Sequence, residues 1–133
     1  MVSVTILNRE REVSGTGLRG ADVKLHLGPF QTDALVLVTA FGTSTYIGEV
    51  APAGMVLTLK VDTSTVSQDN SFEAESVTID FKTSASHNFI LKQGRETDVE
   101  ARTDPMGDGG LINNVQNRVS LQCFALAAAL AIP

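Results

Sequence analysis

Apolar and polar residues alternate along four short stretches of this sequence. The clearest is 76–82, where Val77, Ile79 and Phe81 alternate with polar residues, and the others are 2–6, 23–27 and 57–61. Successive residues of a strand point to opposite faces of a sheet. The pattern therefore predicts strands with one buried and one solvated face, as in antiparallel sheets.

A fifth stretch, 34–41 (ALVLVTAF), is apolar on both faces. We expect it to be a central strand, or one that a neighbouring subunit covers. Shorter strands are expected at 45–50, 87–92 and 97–102, with turns predicted from Gly, Pro and Ser residues. Those turns fall at 14–17, 28–29, 42–44, 51–54 and 93–94.

Strands that recur every 8 to 12 residues or so, with turns between them, are typical of sandwiches and barrels. We predict an all-β fold, an antiparallel β-sandwich or jelly-roll-like barrel of about eight strands. The 133 residues fit one domain, 1–133. The predicted core residues are Val4, Ile6, Leu25, Leu37, Leu59, Val77, Ile79, Phe81 and Leu91.

Two irregular stretches interrupt the predicted strands. Residues 62–71 are small and polar, which indicates a solvent loop or an arm that contacts a partner. Residues 103–117 contain three glycines, a proline and three asparagines, which predicts a long loop. Long loops in compact domains often carry function.

The C-terminal segment 118–133 is strongly apolar. Its first residues alternate like a strand, but the alanines that follow favour helix. We favour a final strand that enters a covered site, and a short buried helix remains the alternative. Four large apolar residues here are candidates for an interface with another subunit, unless the segment completes the domain's own core. They are Phe124, Leu126, Leu130 and Ile132.

Charge and composition argue against several classes of function. Ten basic and 15 acidic residues give a net charge of −5, so we expect no nucleic-acid binding. The longest apolar stretch, 123–133, is far shorter than the roughly 20 residues that cross a bilayer, and no signal peptide is expected. One cysteine allows no intramolecular disulfide, which favours a reducing compartment or a particle assembled inside a cell.

The residues that usually carry chemistry form no recognisable set. Cys123 lies in an apolar run and is interpreted as a buried small hydrophobe, while His26 and His87 are interpreted as surface residues. We therefore expect no catalytic, cofactor or metal site, and alanine should replace each of these three residues without loss of the biological role. The carboxylate pair Asp98 and Glu100 is interpreted as surface charge, and 104–109 fails the EF-hand pattern.

These features together resemble small bacteriophage virion proteins, such as head decoration (cement) subunits or tail and neck subunits. The resemblance is compositional, covers the whole chain and brings no functional residue with it. It implies a ring or trimer that stabilises a larger shell or tube, with partners that are copies of the chain and other structural proteins, in a virion assembled in the host cytoplasm. The alternatives are a β-sandwich binding module or adhesin for a glycan or receptor, and a small hydrolase or isomerase.

Overall fold

The computed structural model describes residues 5–16, 20–50, 53–73, 76–107 and 115–127. Within those ranges the chain forms eight antiparallel strands in two sheets and no helix, which confirms the predicted fold class. The strands are β1 (Thr5–Thr16), β2 (Ala21–Leu27), β3 (Ala34–Val50), β4 (Ala53–Val61), β5 (Ser64–Glu73), β6 (Ser76–Leu91), β7 (Thr97–Gly107) and β8 (Val115–Ala127).

The strand order identifies the fold as a jelly roll. One sheet has the order β1-β8-β3-β6 and the other β2-β7-β4-β5. The first four strands thus pair with the last four in reverse order, β1 with β8, β2 with β7, β3 with β6 and β4 with β5. This is a long antiparallel hairpin rolled into two packed sheets, the double-sheet architecture of jelly rolls.

The core lies between the two sheets. Val36 and Val38 of β3 and Leu57 and Leu59 of β4, in the opposite sheet, belong to this core, and all four are fully buried. Of the predicted core residues, Leu59, Phe81 and Leu91 are confirmed as buried, and Leu25 packs partly buried against the core. Val4 lies outside the described residues, as do the side chains of Val77 and Ile79.

Two predicted core residues face the other way. Ile6 is 62% exposed, and Leu37 is half-buried on the outer side of β3. In both strands it is the next residue along, Leu7 or Val38, that points to the core. A shift of one residue exchanges the two faces of a strand, and in an apolar stretch such as 34–41 the sequence does not distinguish them.

The turn predicted at 42–44 is wrong, because β3 continues through it to Val50. Gly42 faces inward, and a Cβ atom there would overlap Cγ2 of Thr103 in the opposite sheet. Glycine at this position therefore allows the two sheets to approach closely rather than reversing the chain. Of the turn predicted at 14–17, residues 14–16 belong instead to β1 and residue 17 lies outside the described residues, whereas the breaks at 28–29 and 93–94 are confirmed.

Both predicted loops are mostly strand. The chain turns at Asp62 and Thr63, which have positive φ angles, and 64–71 belong to β5. β5 is an edge strand, and its described side chains from 64 to 68 are exposed or half-buried, which suits a polar stretch. Likewise, 103–107 belong to β7 and 115–117 to β8, and only 108–114 of the predicted long loop lie outside the described residues.

The C-terminal segment is a strand as far as Ala127, as favoured from the sequence. It is a central strand, because β8 pairs with β1 on one side and with β3 on the other. Its odd-numbered residues from Val115 to Ala127 are all buried between the sheets. Ala125 and Ala127 thus supply small inward side chains in a strand.

Candidate interaction surface

The outer faces of the two sheets differ sharply in character. On the β2-β7-β4-β5 sheet, side chains of opposite charge form ion pairs, one between neighbouring strands and one along a single strand. Lys24 Nζ lies 3.7 Å from a carboxylate oxygen of Glu100, and Arg102 Nε donates to Asp104 at 2.8 Å. These side chains are partly exposed, as is usual for a face in contact with water.

The outer face of the β1-β8-β3-β6 sheet carries a row of four apolar side chains, one from each strand. Strand register places Ile6 beside Leu126, Leu126 beside Leu35, and Leu35 beside Ile90. Leu126 is half-buried, whereas Ile6, Leu35 and Ile90 are 62%, 42% and 52% exposed. We call these four residues the apolar row.

Further apolar side chains extend the row along the strands. Phe124 and Leu37 are paired in register and lie beside the apolar row, two residues further along their strands. Phe41, four residues beyond Leu37 on β3, is 45% exposed. Every large apolar side chain that is exposed in the described part of the structure lies on this face. Contiguous apolar surface of this kind marks an interaction site more often than a solvated face.

Two of the four interface residues expected from the sequence lie on this face. Phe124 and Leu126 point outward from β8, half-buried, while Cys123 and Ala125 point into the core. The two alternatives for the segment, core strand and interface, therefore describe opposite faces of one strand. Leu130 and Ile132 lie outside the described residues.

Sequence reasoning missed Ile6, Leu35 and Ile90 as members of this surface. The signal for Leu35 was present, because a stretch apolar on both faces already suggested cover by a neighbouring subunit. Ile6 and Ile90 come from strands about 80 residues apart in the chain, and only the pairing register brings them into one line with β3 and β8.

The other half of the same face is polar and contains a shallow depression of about 400 Å³. Gln122 Nε2 donates to a carboxylate oxygen of Glu10 at 3.0 Å, and Arg118 Nε lies 3.3 Å from one of Glu12. Both carboxylates are thus held by neighbours in the sheet. The outward side chains around the depression are Glu10, Glu12, Thr39, Phe41, Ser120 and Gln122.

Cys123 is buried, as predicted, and burial raises the pKa of its thiol to about 12. The thiolate, which is the nucleophilic form, is therefore scarce near neutral pH.

His87 lies within β6 rather than at its start, half-buried and stacked on Phe89 with ring centroids 6.1 Å apart. Val38 lies between His87 and Cys123 in the sheet, so these two are separated by two strand spacings, about 10 Å.

His26 is exposed on the outer face of the other sheet, as predicted. Its Nδ1 lies 2.8 Å from Oδ1 of Asp98, and its Nε2 lies 3.0 Å from Oε1 of Glu96. The hydrogen bond to Asp98, and then that to Glu96, raise the pKa of His26 above its usual value. Asp98 thus binds His26 while Glu100 faces Lys24, so the two carboxylates of this pair have separate partners.

Replacing His26 with glutamine should lower the thermal stability in a pH-dependent way. Folding stabilises the protonated imidazole, so its contribution is complete below about pH 6.5, the pKa of an unperturbed histidine, and is lost as pH rises through the higher pKa of the folded protein. The difference in Tm between wild type and His26→Gln should therefore be largest at acidic pH and shrink above neutrality. Thermal unfolding from pH 5 to 9 measures it.

Lys24→Gln is the matched control for this experiment, because it removes a charged side chain from the same outer face and leaves His26 in place. Its Tm offset from wild type should stay level over the same pH values. A His26→Gln offset that is equally level would show that the two carboxylates do not hold the protonated ring.

No protein-family model matches this sequence, and no curated protein is similar to it. Among solved structures, dimeric latent PorU from Porphyromonas gingivalis is similar over 92% of this chain, with 11% identity and a TM-score of 0.49, but the chain spans only 12% of PorU. The sugar-binding C-terminal domain of EclA is similar over 86% of this chain and 78% of its own, with 14% identity and a TM-score of 0.46.

A chain of Desmodium yellow mottle tymovirus is similar over 98% of this chain and 91% of its own, with 11% identity and a TM-score of 0.43. A viral chain and a sugar-binding domain are thus both structural neighbours. Likeness at this level assigns no activity, ligand or partner, and the fold assignment rests on the strand pairing itself. Across the described ranges, no helix is long and apolar enough to span a membrane.

Proposed function

We propose that this chain is a non-enzymatic structural subunit that joins other subunits of a larger assembly through the outer face of the β1-β8-β3-β6 sheet. The proposal rests on the apolar row, which crosses all four strands of this sheet and would gain free energy on burial. The outer face of the other sheet is charged and is stable in contact with water. At a finer level, the proposed place of the subunit is a virion, where it decorates or stabilises a capsid or a tail.

The free energy available from this face is sufficient for association. Full burial of a Leu, Ile or Phe side chain contributes about 1.5–3 kcal/mol, and about half of that remains to be gained where the side chain is half exposed. Ile6, Leu35, Phe41 and Ile90 would together contribute several kcal/mol, to which Leu126 and Phe124 add. A monomer would instead leave this surface in water.

The virion assignment draws on general features of the chain. Jelly rolls build viral capsid domains and also lectins, so the fold is compatible with a shell subunit without requiring one. The resemblance to small phage virion proteins points the same way, as does a cysteine that is buried and paired with no other.

The solution mass of the wild type and of Leu35→Lys tests the proposal. We expect the wild type to sediment as multiples of the 14.1 kDa chain and Leu35→Lys to sediment as the monomer. Burying an unpaired lysine in the centre of the row is energetically unfavourable. Val56→Lys is the matched control, since Val56 is a half-buried residue on the outer face of the opposite sheet. It should assemble like the wild type.

A wild type that remains a monomer and binds no structural protein of a particle would contradict the proposal. Equal loss of assembly in Leu35→Lys and Val56→Lys would contradict the assignment of the face.

The second candidate is a binding module for a glycan or a receptor, and the depression beside Phe41 favours it. Two carboxylates, an amide and two hydroxyls surround an exposed aromatic ring there, which is a combination suited to a polar ligand with an apolar face. Such a module would bind its ligand as a monomer. Saturable glycan binding by Leu35→Lys, with no assembly by the wild type, would favour this candidate.

A further inference from the structure

We infer that a second copy of this chain covers the outer face of the β1-β8-β3-β6 sheet, with a two-fold axis that runs parallel to the strands. In this arrangement β1 of each copy lies over β6 of the other, and β8 over β3. The inference rests on the proposed function and deepens it by naming the partner and the geometry.

The apolar row determines the direction of the axis. A two-fold axis parallel to the strands keeps each line of residues that are paired across the sheet opposite the same line of the second copy. The apolar rows of the two copies therefore lie face to face. Ile6 then faces Ile90 of the partner subunit, and Leu35 faces Leu126 of the partner subunit. A two-fold axis perpendicular to the strands superposes the two apolar rows only if the axis passes through the rows themselves. Because the row lies near one end of the sheet, most of the face would then be left uncovered.

Charges at the two sheet edges favour the same arrangement. The outward face of β1 carries Glu10 and Glu12, and Lys82 is the charged residue among the described outward side chains of β6. With β1 over β6 of the second copy, Glu12 lies one line away from the partner's Lys82. Stacking β1 over β1 about an axis through the middle of the face would instead set Glu10 against the partner's Glu10, which disfavours association.

The size of the face fits a stable dimer. The 12 residues of β1 extend about 40 Å at the rise of a strand, and four strands are about 19 Å wide. The face therefore offers about 800 Å² per copy, the area that a standard protein interface buries on each partner. Sheets that pack face to face in this way cross at a small angle and interdigitate their side chains.

Two substitutions on opposite edges of the face test the geometry. Ile6 and Ile90 of one copy are three strand spacings apart, about 14 Å, so charges introduced at the two positions cannot pair within a copy. Both side chains are more than half exposed, so charged residues there should leave the fold of each copy intact. The variants are Ile6→Glu, Ile90→Lys and the double substitution, with circular dichroism as the check on folding.

We expect each single substitution to raise the dimer Kd about a hundredfold, since symmetry places the unpaired charge in the interface twice. The double substitution should recover at least tenfold of that loss, because each introduced glutamate then faces an introduced lysine of the other copy. Sedimentation equilibrium of the three variants and the wild type measures these constants.

A double variant that dimerises more weakly than either single variant would overturn the geometry, because an axis across the strands sets like charges against each other. The proposed assembly function would survive that result. A wild type that is monomeric at every concentration, yet binds a different structural protein through Leu35, would overturn the second copy as the partner. A monomer that binds no such protein would overturn both.

Discussion

Replacing Leu57 with alanine should lower the free energy of unfolding by about 2–5 kcal/mol. Leu57 has no exposed surface, and it packs from the centre of β4 toward β3 in the opposite sheet. Truncation removes the transfer free energy of the side chain and leaves a cavity that the two hydrogen-bonded sheets cannot collapse to fill. Chemical denaturation followed by circular dichroism measures the loss.

Thr58→Ala is the control for Leu57→Ala, because it changes the neighbouring residue on the outer face of the same strand. Thr58 is half-buried and accepts a hydrogen bond from Gln68 at 3.1 Å, so its loss should cost about 1 kcal/mol or less. Equal effects of the two substitutions would mean that the interior does not lie on the Leu57 side of β4.

Replacing Gly42 with alanine should lower the free energy of unfolding by about 1–3 kcal/mol, by overpacking rather than by loss of contacts. The added Cβ would overlap Thr103 Cγ2, and it would lie 3.1 Å from Leu57 Cδ1, a tight contact for two carbon atoms. The two sheets must then separate locally. The effect should appear in the same denaturation experiment.

Thr103→Ser supplies the matched background for Gly42→Ala. It removes the Cγ2 atom but keeps the hydroxyl, which donates to the carbonyl oxygen of Ala21. In that background Gly42→Ala should cost clearly less than in the wild type, so that the two effects do not add. Additive effects would show that Thr103 is not the obstacle.

The fold class and several strands could be predicted from the sequence because alternation is a local property. Residues 23–27, 57–61 and 76–82 fall in β2, β4 and β6. Glycine and polar residues misled the prediction where tertiary packing decides their role. Gly42 is small because two sheets meet there, and 64–71 are polar because they belong to an edge strand.

The candidate surface was predictable only in part, for a related reason. Phe124 and Leu126 were predicted as interface residues because they lie close together in the apolar C-terminal segment of the sequence. Ile6 and Ile90 belong to the same surface through strand register, which no local pattern encodes. The sequence also could not show which side of 34–41 faces the core, since both sides of that stretch are apolar.

Hydroxyl-radical footprinting of the wild type over a range of concentrations tests most directly whether the outer face of the β1-β8-β3-β6 sheet is covered in the assembled protein. We predict that oxidation of Leu35, Phe41 and Ile90 slows as the protein assembles, while oxidation of His26 on the opposite outer face is unchanged. Oxidation rates at Leu35, Phe41 and Ile90 that are the same in the monomer and in the assembled protein would contradict the account.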